Sequence, residues 1–142
     1  MRVFIGIDPG CGSPPGGIVE ISTRGVYRYP WTTAKNMWEI VRGLAAISDN
    51  CRAVIEMVTR PRKLVENAGV WKGLLTAAGI PFKEVAPKTW QKHFSGQLPK
   101  DRKLRKQRLL EIAQQRYPDV DIPLNLADAV LLADYAREVA WR

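Results

Sequence analysis

The chain has 142 residues, of which 46% are hydrophobic and 25% charged, a size and balance that build one globular domain with a sizeable core and exclude fibrous, collagenous and wholly disordered proteins. Its net charge of +8 points to an anionic partner, nucleic acid ahead of a membrane surface. No apolar run approaches the roughly 18 residues that cross a bilayer, and Asp8 and Pro9 interrupt the first apolar stretch where a signal peptide would continue, so the expectation is an intracellular protein, one domain over 1–142, with no membrane association.

The apolar pattern changes period along the chain in a readable order. Val3 to Ile7 reads as a buried strand, the Gly/Pro cluster from Pro9 to Gly17 as a turn, and Ile18 to Ile21 and Val26 to Tyr29 as two further strands joined around Arg24-Gly25. Met37, Ile40, Val41 and Leu44 predict a helix over 33–47 with Thr33 or Thr32 as its cap. Arg52 to Val58 is an apolar strand interrupted by Glu56, Lys63 to Ala78 a helix that stops at Gly79, and Pro81 to Val85 a fifth strand. A short helix from Pro87 to Phe94, a Gly/Pro loop through Pro99, a basic helix over 101–117 and a last helix over 124–140 complete the chain. Counting the long elements, the order is β-β-β-α-β-α-β-α-α, which gives a mixed five-stranded sheet with helices on both faces. Gln97 to Lys106 reads as a mobile or partner-dependent segment. Cys11 and Cys51 form no CxxC pair and are expected as reduced thiols.

The strand "RVFIGI" runs directly into Asp8, the strand "AVIEMV" carries Glu56, and the apolar stretch "LADAVLLA" carries Asp128. A carboxylate at the end of a buried element is costly unless it is paired, hydrogen-bonded or bound to a metal. The three converge if the first and fourth strands are neighbours and the last helix packs against them. Converging carboxylates repel and call for cations between them. Hard oxygen ligands select Mg²⁺ or Mn²⁺, and two such ions suit phosphodiester hydrolysis. Taken singly, each acid has a plainer reading: Asp8 closing the Pro9-Gly10 turn, Glu56 paired with an arginine, Asp128 on a solvated helix face.

Four blocks in this order, "GIDPG", "VIEMV", "AGVWKGLLTAAGIPFKEVAPKTWQK" and "NLADAVLLADYA", resemble the RuvC-like Holliday-junction resolvases of the ribonuclease H-like superfamily, in a phage or organellar variant. The resemblance runs over nearly the whole chain. It implies a homodimeric, Mg²⁺-dependent endonuclease that nicks two strands of a four-way DNA junction symmetrically, in the cytoplasm or nucleoid, an organelle or a phage-infected cell. By position it assigns Asp8, Glu56 and Asp128 to a two-ion site and Lys100, or else Lys103, to a catalytic lysine. It also puts Asn125 where the family has an Asp or His metal ligand; an amide there offers only a neutral carbonyl oxygen, so Asn125→Asp is expected to lower the Mg²⁺ requirement. Thr59 stands where bacterial members carry an aromatic wedge. Other readings are another ribonuclease H-like nuclease, acting on branched, flapped or hybrid substrates, and a non-catalytic junction-binding protein.

The segment "KDRKLRKQR" carries six Lys or Arg and one acid and reads either as a solvated surface helix or as a phosphate-contacting arm, whose binding is steeply salt-dependent and blind to base sequence. Expected DNA contacts are Arg60, Arg62, Lys63, Lys88, Lys103, Arg105 and Lys106. His93, the single histidine, has no nucleophile elbow beside it, and the opening Gly-rich turn lacks the P-loop pattern. The tryptophans 31, 38, 71, 90 and 141 are expected as core or interface anchors. Gly69 and Gly73, flanking Trp71, would let their helix approach the sheet or a second subunit closely.

Overall fold

Alternating burial gives the first strand two distinct faces, and this decides the architecture. In the computed structural model, which describes residues 1–142, β1 (Arg2–Ile7) turns Val3, Ile5 and Ile7 into one apolar cluster and Phe4 into another. β2 (Gly17–Ser22) and β3 (Gly25–Pro30) complete an antiparallel meander. β4 (Asn50–Glu56) lies parallel to β1 on its other side, and β5 (Phe82–Val85) parallel to β4. The sheet order is β3-β2-β1-β4-β5.

α1 (Ala34–Ile47) and α2 (Arg62–Ala77) cover one face, packing Met37, Val41, Leu44, Trp71 and Leu75 on Val3, Ile5, Ile7 and Ile55. Thr33 caps α1 by accepting the Asn36 N–H, and Gly79, at φ +73°, follows α2 in the left-handed region that favours glycine. The opposite face carries α3 (Pro87–Phe94), α4 (Arg102–Arg116) and α5 (Ala127–Tyr135), built around Trp90, Leu109, Ile112 and Leu131. Three helices therefore follow β5. No helix is long and apolar enough to cross a membrane.

α5 is central to the design. A Cβ on Gly6 would lie 2.2 Å from both the Ala129 carbonyl oxygen and the Ala133 nitrogen, so the helix backbone rests directly on β1 where only glycine fits. That contact fixes the height of the helix start above the end of β1.

Several boundaries differ from the sequence expectation for physical reasons. β4 stops at Glu56 instead of Val58, because its neighbours β1 and β5 end at Ile7 and Val85. The last helix is three pieces, a 3₁₀ turn at Leu124–Leu126, α5, and a π turn at Ala136–Ala140. Residues 102–106 belong to α4, with Asp101 accepting the Leu104 N–H as its cap, and do not form a loose segment. Gly69 and Gly73 face outward, where an added Cβ would meet nothing within 4 Å; Ala68, Trp71 and Leu75 face the sheet instead.

Candidate active site

Strand periodicity puts Asp8 and Glu56 on the face that carries α5. Two residues on from Gly6, Asp8 leaves the end of β1 on the α5 side, and Glu56, two residues beyond Val54, does the same at the end of the adjacent parallel strand. Asp128 sits in the first turn of α5, where the helix dipole favours an acid. All three line an open cleft of about 770 Å³ together with Asn125, Lys63, Arg102, Arg105 and Lys106.

Burial and mutual repulsion dominate the electrostatics. Asp8 is pushed from 3.8 up to about 6, first by burial, then by the charge of Asp128, against the Gly10 N–H bond and Lys106. Glu56 rises from 4.5 to about 7 through burial and the charges of Asp8 and Asp128, with the Trp90 hydrogen bond opposing. Asp128 is also raised by burial, while Lys106, Arg105 and Arg102 pull it down. Lys106 Nζ stands 3.6 Å from Asp128 Oδ2. No three Asp, Glu, His or Cys side chains converge tightly enough to coordinate a single ion together, yet all three acids feel one another's charge. A donor set made entirely of carboxylate oxygens, desolvated and mutually repelling, fits hard divalent cations shared between pairs.

Each side chain is held by something local. Asp8 Oδ1 accepts the Gly10 N–H at 3.0 Å. Glu56 Oε2 accepts the indole N–H of fully buried Trp90 at 2.9 Å. Asn125 Nδ2 donates to the Pro15 carbonyl at 2.8 Å, so Oδ1 alone is left as an acceptor.

The basic residues divide. Lys63, Arg105 and Lys106 line the cleft; Arg60, Arg62, Lys88 and Lys103 are exposed outside it, as is Lys100, whose carbonyl accepts a bond from Arg105. Arg102 lines the cleft without having been singled out in the sequence. Its signal was present: Arg102, Arg105 and Lys106 lie seven, four and three residues before buried Leu109, on one side of the helix. Trp90 was expected only as an anchor, and nothing in its spacing marks its bond to Glu56. His93 bonds Glu138 at 2.7 Å and is not among the cleft residues.

Two more acids sit in apolar sequence and have no part in the cleft. Glu20, fully buried on β2, is paired with Arg24 at 3.0 Å and accepts the Ser22 hydroxyl. Asp134, fully buried on α5, is bonded to Arg116, Arg137 and the Tyr117 hydroxyl. Guanidinium partners make these structural, whereas the cleft acids face one another.

A mixed sheet of this order, with acids at the ends of β1 and β4 and at the start of α5, has the ribonuclease H-like fold in its RuvC-like form. Two solved structures of RuvC from Thermus thermophilus are similar to the chain across its length. One, RuvC in complex with Holliday junction substrate, has a TM-score of 0.60 at 17% identity, covering 98% of this chain and 97% of that one. The other, RuvC alone, has a TM-score of 0.56 at 19% identity, with 96% of each chain covered. No protein-family model and no curated protein matches the sequence.

Proposed function

We propose that the chain is a divalent-metal-dependent endonuclease that resolves four-way DNA junctions by paired nicks. The observation that carries this reading is a single cleft in which three desolvated carboxylates face a row of basic side chains on α4. Its setting supports the choice of substrate, since the fold matches along its whole length that of a RuvC solved with a Holliday junction.

Asp8, Glu56 and Asp128 would hold two Mg²⁺ ions, for which Mn²⁺ could substitute, and Asn125 could offer them only Oδ1. Bound there, such ions would supply a water nucleophile at neutral pH and Lewis-acid stabilisation of the phosphodiester. Trp90 keeps one oxygen of Glu56 occupied and so orients the other. Lys106 is assigned to the phosphate in place of Lys100, because its ammonium already lies against Asp128 within the cleft, where it opposes charge developing on the scissile group. Arg102, Arg105 and Lys63 neutralise neighbouring phosphates, and Arg60, Arg62, Lys88 and Lys103 extend the contact outside the cleft. A homodimer follows from the two-fold symmetry of the junction, as paired nicks need paired sites.

Incubation with a four-way junction, a flap, a linear duplex and an RNA–DNA hybrid, with Mg²⁺ or with chelator, tests the proposal. Symmetric Mg²⁺-dependent nicks confined to the junction are expected. Preferred cutting of the flap or hybrid would reassign the substrate, and tight salt-sensitive binding without cleavage would leave a junction-binding protein.

A further inference from the structure

We infer that Asn125 is a positioning residue: its amide N–H, with that of Asn67, pins the loop over residues 9–16 onto Asp8 and so fixes the carboxylate on which cation binding depends. The inference rests on reading the cleft as a divalent-cation site.

The loop and Asp8 are built against each other. Gly10 N–H donates to Asp8 Oδ1 at 3.0 Å, and Gly16 N–H closes the loop on the Gly10 carbonyl at 2.9 Å. A Cβ on Gly16 would lie 2.5 Å from the Asp8 carbonyl oxygen, 2.6 Å from Cγ and 2.8 Å from Oδ2, so the Asp8 carboxyl is held between the Gly10 N–H and the bare Gly16 backbone. Any outward movement of the loop releases it.

Two asparagine side chains tie the loop to neighbouring elements. Its prolines have no N–H and cannot donate, but Pro9 and Pro15, near its two ends, each present a carbonyl. The Pro9 carbonyl accepts from buried Asn67 on α2 at 2.9 Å, and the Pro15 carbonyl from Asn125 at 2.8 Å. At its far end the loop is also tied to the end of β3 through its backbone, the Trp31 N–H donating to the Gly16 carbonyl at 2.8 Å, which leaves the stretch between to the asparagines; the bond from the Cys11 thiol to the Lys63 carbonyl at 3.9 Å is weak by comparison. A carboxylate at position 125 has no N–H to give and would set negative charge against the Pro15 carbonyl. This accounts for an amide where the family resemblance leads to an acid, and it reverses the expectation that Asn125→Asp would lower the Mg²⁺ requirement.

The test uses the full chain without DNA. Amide hydrogen exchange is followed by NMR in chelator for wild type, Asn125→Asp and Asn125→Ala, and Mg²⁺ binding is then measured by calorimetry. In both variants Gly10 and Gly16 should exchange roughly tenfold faster, the loss of about one good hydrogen bond, while β1 and α5 stay protected; both should bind Mg²⁺ roughly tenfold more weakly or worse. Asn67→Asp, at a residue outside the cleft lining, should speed the same two amides and weaken Mg²⁺ likewise. Unchanged loop exchange, a general loss of protection in the Asn125 variants, tighter Mg²⁺ binding by Asn125→Asp alone, or wild-type Mg²⁺ affinity in Asn67→Asp would each overturn the inference. Loss of the cation-site reading itself would show separately, as wild-type protein that binds no Mg²⁺.

Discussion

In chelator, the three cleft carboxylates should make the protein less stable as pH rises, against the usual trend for acidic groups. Asp8 and Glu56 titrate higher in the folded chain than their ordinary values, from 3.8 to about 6 and from 4.5 to about 7, so between those limits the native state binds more protons than the unfolded one. Stability then falls as pH increases: the contribution is fully present below about pH 4 and is lost as pH passes through 6 to 7. Each carboxylate accounts for on the order of 3 kcal/mol, at 1.36 kcal/mol per pH unit, and because the two shifts share a common Coulombic interaction the combined effect is smaller than twice that. Urea unfolding at pH 5 and pH 8 in chelator captures the larger part of it, the loss between pH 4 and 5 lying outside that window. Asp8→Asn, which keeps an acceptor for the Gly10 N–H but removes the charge, should be the more stable protein at pH 8 by up to about 3 kcal/mol, and Mg²⁺ should restore wild type at pH 8 while leaving the variant nearly unmoved. A flat wild-type profile in chelator, or an Asp8→Asn protein weaker than wild type at pH 8, would refute the argument that these acids are held together against their own repulsion.

Other consequences follow from single contacts. Trp90→Phe keeps most of the buried volume but leaves Glu56 without its indole donor; the Mg²⁺ concentration for half-maximal nicking should rise about tenfold or more with the circular dichroism spectrum unaltered, and an unchanged titration would remove Trp90 from the site. Replacing Arg102 and Arg105 with Ala should lower the slope of log affinity against log salt by about 2, at roughly 0.9 per phosphate contact. Lys103→Ala, outside the cleft, should lower the slope by no more than about one such contact; an effect as large as that of the Arg102 and Arg105 pair would mean that the cleft face of α4 is not the DNA-facing one.

Much of the site's framework could be read from the sequence because β1 and β4 each run out at a carboxylate, and the parallel pairing of these strands aligns those ends. The Thr33 cap and the stop at Gly79 were equally legible, being local chemistry. The criterion of an acid in apolar sequence did not by itself separate the cleft from the scaffold: Glu20 and Asp134 meet it, but the fold pairs Glu20 with nearby Arg24, and Asp134 with nearby Arg137 and with Arg116 from α4. Which lysine faces the cleft was not legible, for a different reason. Residues 100–108 hold so few apolar side chains that the segment has no visible phase of its own, and the orientation of α4 is set further on, by Leu109, Ile112 and Ala113. The Trp90–Glu56 and Asn125–Pro15 bonds join residues 34 and 110 positions apart, and no periodicity reports contacts at that distance along the chain.

Whether Asp8 would hold catalytic metal in a site that cuts four-way junctions is decided by measuring binding and cleavage of one immobile junction by wild type and Asp8→Asn side by side in Mg²⁺. Wild type should nick two opposed strands; Asp8→Asn should bind the junction as tightly or more tightly, since a negative charge facing phosphate is gone, and cut it at less than about a tenth of the wild-type rate, a barrier increase above roughly 1.4 kcal/mol. Cleavage by Asp8→Asn at or near the wild-type rate would contradict the account.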